Sequence, residues 1–199
     1  CEFSTFIMAK RIASDIDIPV VHTYHTVYED YTHYFIPSKR AGKKLVSVAS
    51  KTLASFCDRI IVPTYKTKKL LLTYGIYDGM IDIIPTGINI PQLYDKKLLR
   101  KSLGIDEDAK VLLYLGRLGA EKNIQEIMAY YDRLKDDSIK LFIVGGGPYL
   151  KTLKEDADKI SKEVVFTGMV DANSVNRYYQ AADIFTTAST SETQGLTYY

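Results

Sequence analysis

Four stretches of the 199-residue chain combine residue types and spacings suited to chemistry. In GRLGAEKN an apolar run ends at Gly116, Arg117 follows, and Lys122 stands at the start of a helical pattern. Two cations at a strand–helix junction suit a diphosphate, with the guanidinium in bidentate contact and the helix dipole adding to the field. In SETQGL, Glu192 follows another apolar run as an acceptor for hydroxyl hydrogen bonds. The backbone N–H groups of Thr193, Gln194, Gly195 and Leu196 are suited to an anion. FIVGGGPYL ends a run in three glycines before a helical pattern, which reads as a tight turn or as a loop that lets a ligand approach the backbone.

The fourth stretch, HTYHTVYEDYTHYF, contains His22, His25 and His33, all the histidines of the chain, among Tyr24, Tyr28, Tyr31, Tyr34 and Phe35. Tyrosine spacings of four, three and three predict a helical core stripe, with the histidines satisfying local backbone groups. A metal site competes with that reading, but it lacks a cysteine or a convergent third ligand. Asp15 with Asp17, and Asp156 with Asp158, have the spacing of a cation clamp. The first pair precedes a strand, and in the helical second pair residues i and i+2 diverge by about 200°. Both read as surface charge, and no metal is expected.

The elements that must position these residues are legible as alternation. Strands are predicted at 19–24, 59–63, 81–85, 110–116, 140–145, 164–168 and 183–188, each short, Val/Ile-rich and bounded by Gly, Pro or Asp. Helices are predicted near 39–57, 66–74, 95–103, 122–135, 149–161 and 172–182. Strand–helix alternation with continuously apolar strands implies parallel sheets covered on both faces. The expected class is therefore α/β with two Rossmann-like parallel-sheet domains, residues 1–94 and 95–199. IIPTGINIPQLYD interrupts the pattern between them. That architecture implies nucleotide or phosphate binding at the carboxyl ends of strands, and no particular reaction.

Composition is that of a soluble globular chain, 46% hydrophobic and 25% charged, with enough residues for one large or two small domains. No apolar run has the roughly 18–20 residues needed to span a bilayer, and no signal-peptide pattern opens the chain. Two cysteines, Cys1 and Cys57, make no disulfide framework, so a cytoplasmic location is expected. Residues 1–94 hold 11 Lys/Arg against 8 Asp/Glu, and 95–199 hold 15 against 16. The excess concentrates between Pro37 and Leu70, where nine cations face Asp58 alone. Lys39, Arg40, Lys43 and Lys44 share one side of a predicted helix, which reads as a solvated face or as a surface for anionic lipid on the inner face of a membrane. Aromatics lie upstream of this run rather than interleaved with it, so nucleic acid is not an expected partner. The abrupt apolar ends, CEFSTFIMAKRIA and SETQGLTYY, suggest a piece of a longer chain.

In combination, GRLGAEKN, IIPTGIN, FIVGGGP, VVFTGMV, AADIFTTAS and SETQGL resemble, in order and spacing, the retaining glycosyltransferases of family 4, which have two facing Rossmann-like domains (GT-B type). The longer run HTYHTVYEDY is similar to that of bacterial diacylglycerol glucosyltransferases of this family. The resemblance implies that Arg117 and Lys122 bind the donor diphosphate, that the base lies near Met169 and Val170, and that Glu192 touches the sugar hydroxyls. Thr193, Gln194, Gly195 and Leu196 complete the donor set. His25, in the family's Thr–aromatic–His–Thr pattern, is the implied active-site histidine and orients rather than acts as a conventional base. A second family glutamate would fall at the position after Tyr199, and the first strand with its glycine-rich turn would precede Cys1, so a fragment of this extent is expected to be inactive.

The implied reaction is metal-independent, retaining transfer of a hexose, glucose in the narrower form, from a UDP-sugar to an acceptor hydroxyl, with diacylglycerol as the narrower acceptor. Charge on the departing diphosphate would be met by Arg117, Lys122 and backbone donors near Gly195. Two other classes stay open: a sugar-nucleotide epimerase on the same frame, and a non-catalytic nucleotide-sugar-binding or membrane-associating module.

Overall fold

The computed structural model describes residues 2–34 and 36–198, with the side chains of residues 2–4, 33 and 34 left out. Cys1, Phe35, Tyr199 and the side chains of His33 and Tyr34, all named above, lie outside the described residues. The chain forms two compact units. One runs to Gly87 and takes in Glu192–Leu196, and the other holds Ile88–Ser191 and resumes at Thr197. SETQGL, expected with the second domain, therefore has its residues 192–196 among the contacts of the first unit.

The first unit opens with α1 (Glu2–Ile16), which leads into β1 (Val21–Thr23). A 3-10 segment over Tyr28–Tyr34 follows, so the expected helical tyrosine stretch is of the 3-10 type. Its period of three residues accounts for the spacing Tyr28, Tyr31, Tyr34 better than 3.6 does. Next come α2 (Lys39–Ala54), β2 (Arg59–Val62), α3 (Tyr65–Thr73) and β3 (Ile81–Ile83). Ser38 and Thr64 cap α2 and α3, each accepting a backbone N–H three residues on. The sheet is parallel in order β1-β2-β3. Ile60, Val62, Leu71, Tyr74, Ile76 and Ile81 form its core with Tyr24.

The second unit contains α4 (Lys96–Ser102), β4 (Lys110–Leu115), α5 (Ile124–Asp132), β5 (Ile139–Val144), α6 (Leu150–Ala157), β6 (Val164–Gly168), α7 (Ala172–Ala181) and β7 (Ile184–Phe185). All strand pairs are parallel, in order β6-β5-β4-β7. Because successive side chains point to opposite faces, the apolar runs feed two cores. Tyr114, Leu141 and Ile143 meet Ile127, Met128, Tyr131 and Leu153 of α5 and α6. Val111, Leu113, Phe142 and Val144 meet Leu99 and Ala181 of α4 and α7. Covering both faces is what a purely parallel sheet requires.

One polar knot closes the second unit. Arg100 is 8% exposed and donates to the carbonyls of Ala181, Glu107 and Ala109 at 3.0 Å each, and to Asp183 Oδ2 at 2.5 Å. The same Asp183 oxygen accepts Val111 N–H at 2.8 Å, and Oδ1 accepts Lys96 Nζ at 2.8 Å. Burial works against ionising Asp183, but the hydrogen bonds from Lys96, Val111 and Arg100 outweigh it and hold the carboxyl down at about 2. A carboxyl depressed in the folded state stabilises fully above its unfolded value of about 4, and the contribution is lost as pH falls toward 2. Asp183→Ala strands the buried Arg100, so chemical denaturation at pH 7 should show a loss of about 3 kcal/mol. The variant should also lose the part of the wild type's acid dependence that lies between about pH 4 and 2.

Candidate functional site

The second unit reverses direction at β4. The chain builds outward through β5 and β6 and then returns to pair β7 on the opposite edge of β4. At such a switch point the loops leaving adjacent strands diverge and open a crevice at the carboxyl ends. The β4 loop carries Gly116, Arg117 and a 3-10 turn over Ala120–Lys122. The β7 loop carries Ala188, Ser189 and Ser191. Side chains join the two: Lys122 Nζ donates to Ser189 Oγ at 3.3 Å, and Asn123 Nδ2 donates to the Ala188 carbonyl at 3.2 Å. Asn123 adopts a left-handed conformation (φ 49°) and precedes α5 without capping it through its side chain. The positive end of α5 thus stands beside Lys122 with no side-chain cap.

Backbone packing fixes the loop that bears Arg117. Gly116 N–H donates to Val144 O at 3.0 Å, Leu118 N–H to Gly146 O at 2.9 Å, and Tyr149 N–H to Leu118 O at 3.1 Å. Gly145 (φ 136°) lies so close that a Cβ there would overlap the Gly116 carbonyl. The sequence left this glycine run open between a turn and a ligand loop. Here it is a backbone-to-backbone brace that leaves the Arg117 side chain exposed, while Tyr114 Oη donates to the Arg117 carbonyl at 3.0 Å. Val170 is half-buried after β6, beside an exposed Met169 that faces Gly146. Arg117, Lys122 and Val170 therefore share the carboxyl end of one sheet. Glu121, not singled out from the sequence, is 9% exposed, and its carboxylate folds back over Gly119, where any Cβ would collide with it. The Gly-x-Glu spacing is its only mark in the sequence.

In the first unit His25 is exposed just past β1, and Glu192–Leu196 is held by other residues of that unit. Thr64 Oγ1 donates to the Thr193 carbonyl at 2.9 Å, and Lys66 Nζ to the Glu192 carbonyl at 3.1 Å. Gln194 makes a two-point amide pair with Thr86: Thr86 N–H donates to Oε1 at 2.8 Å, and Nε2 donates to the Thr86 carbonyl at 3.0 Å. The Gln194 side chain is thus engaged by backbone, a role the sequence did not announce. Gly195 (φ 71°) turns the segment, and Leu196 is exposed. His22 packs edge-on to the rings of Phe6 and Tyr24 rather than serving backbone groups. Its pKa is lowered, first by burial and then by His25.

The basic run divides by function. Lys68 reaches Asp78 and the Ile81 carbonyl, and Arg59 reaches the Gly79 carbonyl and Asp82. Lys43 lies 3.7 Å from Glu29, whereas Lys39, Arg40 and Lys44 are exposed and make no ion pair among the described residues. Cations in the first turn of a helix oppose its dipole, so Lys39 and Arg40 are not there to stabilise α2. Cys57 is a buried free thiol, its pKa pushed up to about 11 by burial and by Asp58. Among the described residues no group of His, Cys, Asp and Glu could hold a metal ion, and no helix is long and apolar enough to cross a membrane.

Comparison with known proteins agrees with this fold. The profile of the glycosyl transferases group 1 matches residues 95–199, and that of glycosyltransferase family 4 matches residues 2–92. The chain is 42% identical to an alpha-monoglucosyldiacylglycerol synthase of Streptococcus pneumoniae over 99% of its own length and 47% of the relative's. It is 36% identical to the enzyme of that name from Acholeplasma laidlawii, over 99% of the chain and 53% of the relative. The chain thus spans about half the length of these relatives. Among solved structures, the Anabaena protein HepE in complex with UDP and glucose superposes with a TM-score of 0.77 at 17% identity, covering 94% of this chain and 50% of that one.

Two substitutions test the braces. Gly145→Ala should cost about 2 kcal/mol in chemical denaturation, because the new methyl group meets the Gly116 carbonyl. Gln194→Ala should cost about 1–2 kcal/mol for two lost hydrogen bonds and expose residues 192–196 to limited proteolysis. For His22, a lowered folded pKa means stability is full above about 6.5 and falls as the pH drops below it. His22→Phe keeps the ring contacts and should flatten the stability profile between pH 7 and 5.

Proposed function

The chain belongs to the group 1 glycosyltransferases, and on that premise we propose that it transfers glucose from UDP-glucose to a hydroxyl of diacylglycerol, with retention at the anomeric carbon and without a metal. The observation that carries the donor half is the Arg117–Lys122 pair at the switch point of the second unit, next to the side-chain-uncapped end of α5. The acceptor half is supported by the activity for which the two synthases are named, both alike over 99% of this chain.

In this reading the diphosphate lies on Arg117 and Lys122, the base beside the backbone of Met169 and Val170, and the sugar hydroxyls against Glu192. Thr193 to Leu196 supply backbone donors, and Gln194, through Thr86, keeps that segment in its conformation. The bond between the anomeric carbon and the diphosphate oxygen breaks as the acceptor oxygen bonds to the same face, through an oxocarbenium-like state. The acceptor proton passes to the departing phosphate oxygen. Charge accumulating on the diphosphate is met by cations already in place, which act on the transition state more than on the neutral acceptor. His25 orients the acceptor hydroxyl. Lys39, Arg40, Lys43 and Lys44 hold the protein on an anionic cytoplasmic membrane surface, each contributing about 1 kcal/mol when close to it.

The test is incubation of the full-length protein with labelled UDP-glucose and either diacylglycerol or soluble sugar acceptors, followed by identification of the product and its anomeric configuration. An α-linked glucosyl lipid formed in the presence of chelator is the expected result, with His25→Ala lowering turnover by about 100-fold through loss of acceptor orientation. Isomerised nucleotide sugar without acceptor dependence, or a β-linked product, contradicts the reading. Vesicle flotation tests the surface assignment: neutralising Lys39, Arg40, Lys43 and Lys44 should remove binding to anionic vesicles at low salt, as should raising the salt for the wild type.

A further inference from the structure

The first unit contains an apolar slot that the donor chemistry does not use. Its walls are the 3-10 segment and α2, and its volume is about 440 Å³, within the range of ligand pockets. Tyr28 and Tyr31 form one wall, at the three-residue period of their segment. Leu45, Ala49 and Leu53 form the other, at the four-residue period of α2, so the slot runs for eight residues, about 12 Å, along the helix. Gly42 sets the separation: a Cβ there would overlap Thr32, so the two backbones close together at one end. Ala49 leaves the gap open midway.

Three hydroxyls of the lining have partners close by. Tyr24 Oη and Ser50 Oγ lie 3.4 Å apart, and Thr32 Oγ1 donates to the Glu29 carbonyl at 2.8 Å. A space so lined offers water too few of the two to four partners it needs, and offers sugar hydroxyls even fewer. The mouth is at Leu45, which is 58% exposed, with exposed Val48 beside it on the helix that carries Lys39, Arg40 and Lys44. Cations around an apolar opening match an anionic headgroup layer above hydrocarbon. Tyr24, at the floor, precedes His25 in the chain.

We propose that this slot seats one acyl chain of the lipid acceptor, with its glycerol end at the mouth beside Leu45 and the second chain outside. The inference rests on the reading of the acceptor as diacylglycerol and goes beyond it in naming the residues that measure the chain. Ala49 and Leu45 are then specificity-determining residues.

Two measurements on the full-length protein decide it. The first is photocrosslinking of the wild type with a diacylglycerol carrying a diazirine near the end of one acyl chain. Adducts within residues 28–32, at Ile36 or within 45–53 are expected, and adducts confined to other segments overturn the slot. The second is KM for diacylglycerols short enough to be monomeric in water. Each methylene buried is worth about fourfold in affinity, so going from dihexanoyl to dioctanoyl should lower KM about 15-fold with one chain seated and about 240-fold with two. Ala49→Trp, with its folding checked by thermal melt, should abolish that length dependence. A ratio near one in the wild type, a ratio near 240, or an unchanged ratio in Ala49→Trp contradicts the proposal. If the wild type glucosylates a different acceptor and not diacylglycerol, the functional reading fails, and the crosslink map by itself decides the slot.

Discussion

Everything at the carboxyl end of the second sheet depends on two backbones meeting without side chains between them. Gly145 leaves β5 directly against the carbonyl of Gly116, which leaves β4, and the hydrogen bonds from Gly116 to Val144 and from Leu118 to Gly146 lock the approach. A single methyl group would push the loops apart. With the loops together, Arg117 projects outward from a braced turn and Lys122 begins the path into α5. Electrostatic stabilisation of a leaving group requires donors fixed before the reaction, since reorganising them costs what their field gains. The glycine contact fixes the backbone from which Arg117 projects.

The first unit divides its charges in the same spirit. Arg59, Lys66 and Lys68 are spent on carbonyls and carboxylates within the unit, where they hold β3, the turn before it and the Glu192 segment. Lys39, Arg40 and Lys44 have no such work, and the first two stand where the helix dipole disfavours them. A charge placed against local stability is more informative than a charge that serves it. In the second unit the Arg100–Asp183 knot shows the opposite economy, with one buried guanidinium satisfying three carbonyls and a carboxylate at once.

Much of this was legible in the sequence because parallel sheets write continuous apolar runs. All seven predicted strands exist, and the six predicted helices begin within two residues of their observed starts. Helix ends were less legible, and β7 shrinks to Ile184–Phe185, since only those residues pair with β4. The tyrosine stretch is helical, as its spacings predict, but spacings of three and four do not distinguish a 3-10 from an α-helix over seven residues. The pairing of Gln194 with Thr86 and the folding of Glu121 over Gly119 could not be read at all. Both depend on contacts that local pattern does not encode: one bridges 108 positions, and the other turns on which way a carboxylate points.

The proposed donor site places the diphosphate of a nucleotide sugar at the junction after β4, on Arg117 and Lys122. Titration calorimetry of the full-length protein with UDP, comparing the wild type with Arg117→Ala and Lys122→Ala, tests it most directly. Hydrogen bonds to a charged partner contribute about 1.5–3 kcal/mol, so each substitution should weaken UDP binding about 10- to 100-fold, with the melting temperature of the free protein unchanged in Arg117→Ala. UDP affinity unchanged in both variants would contradict the account.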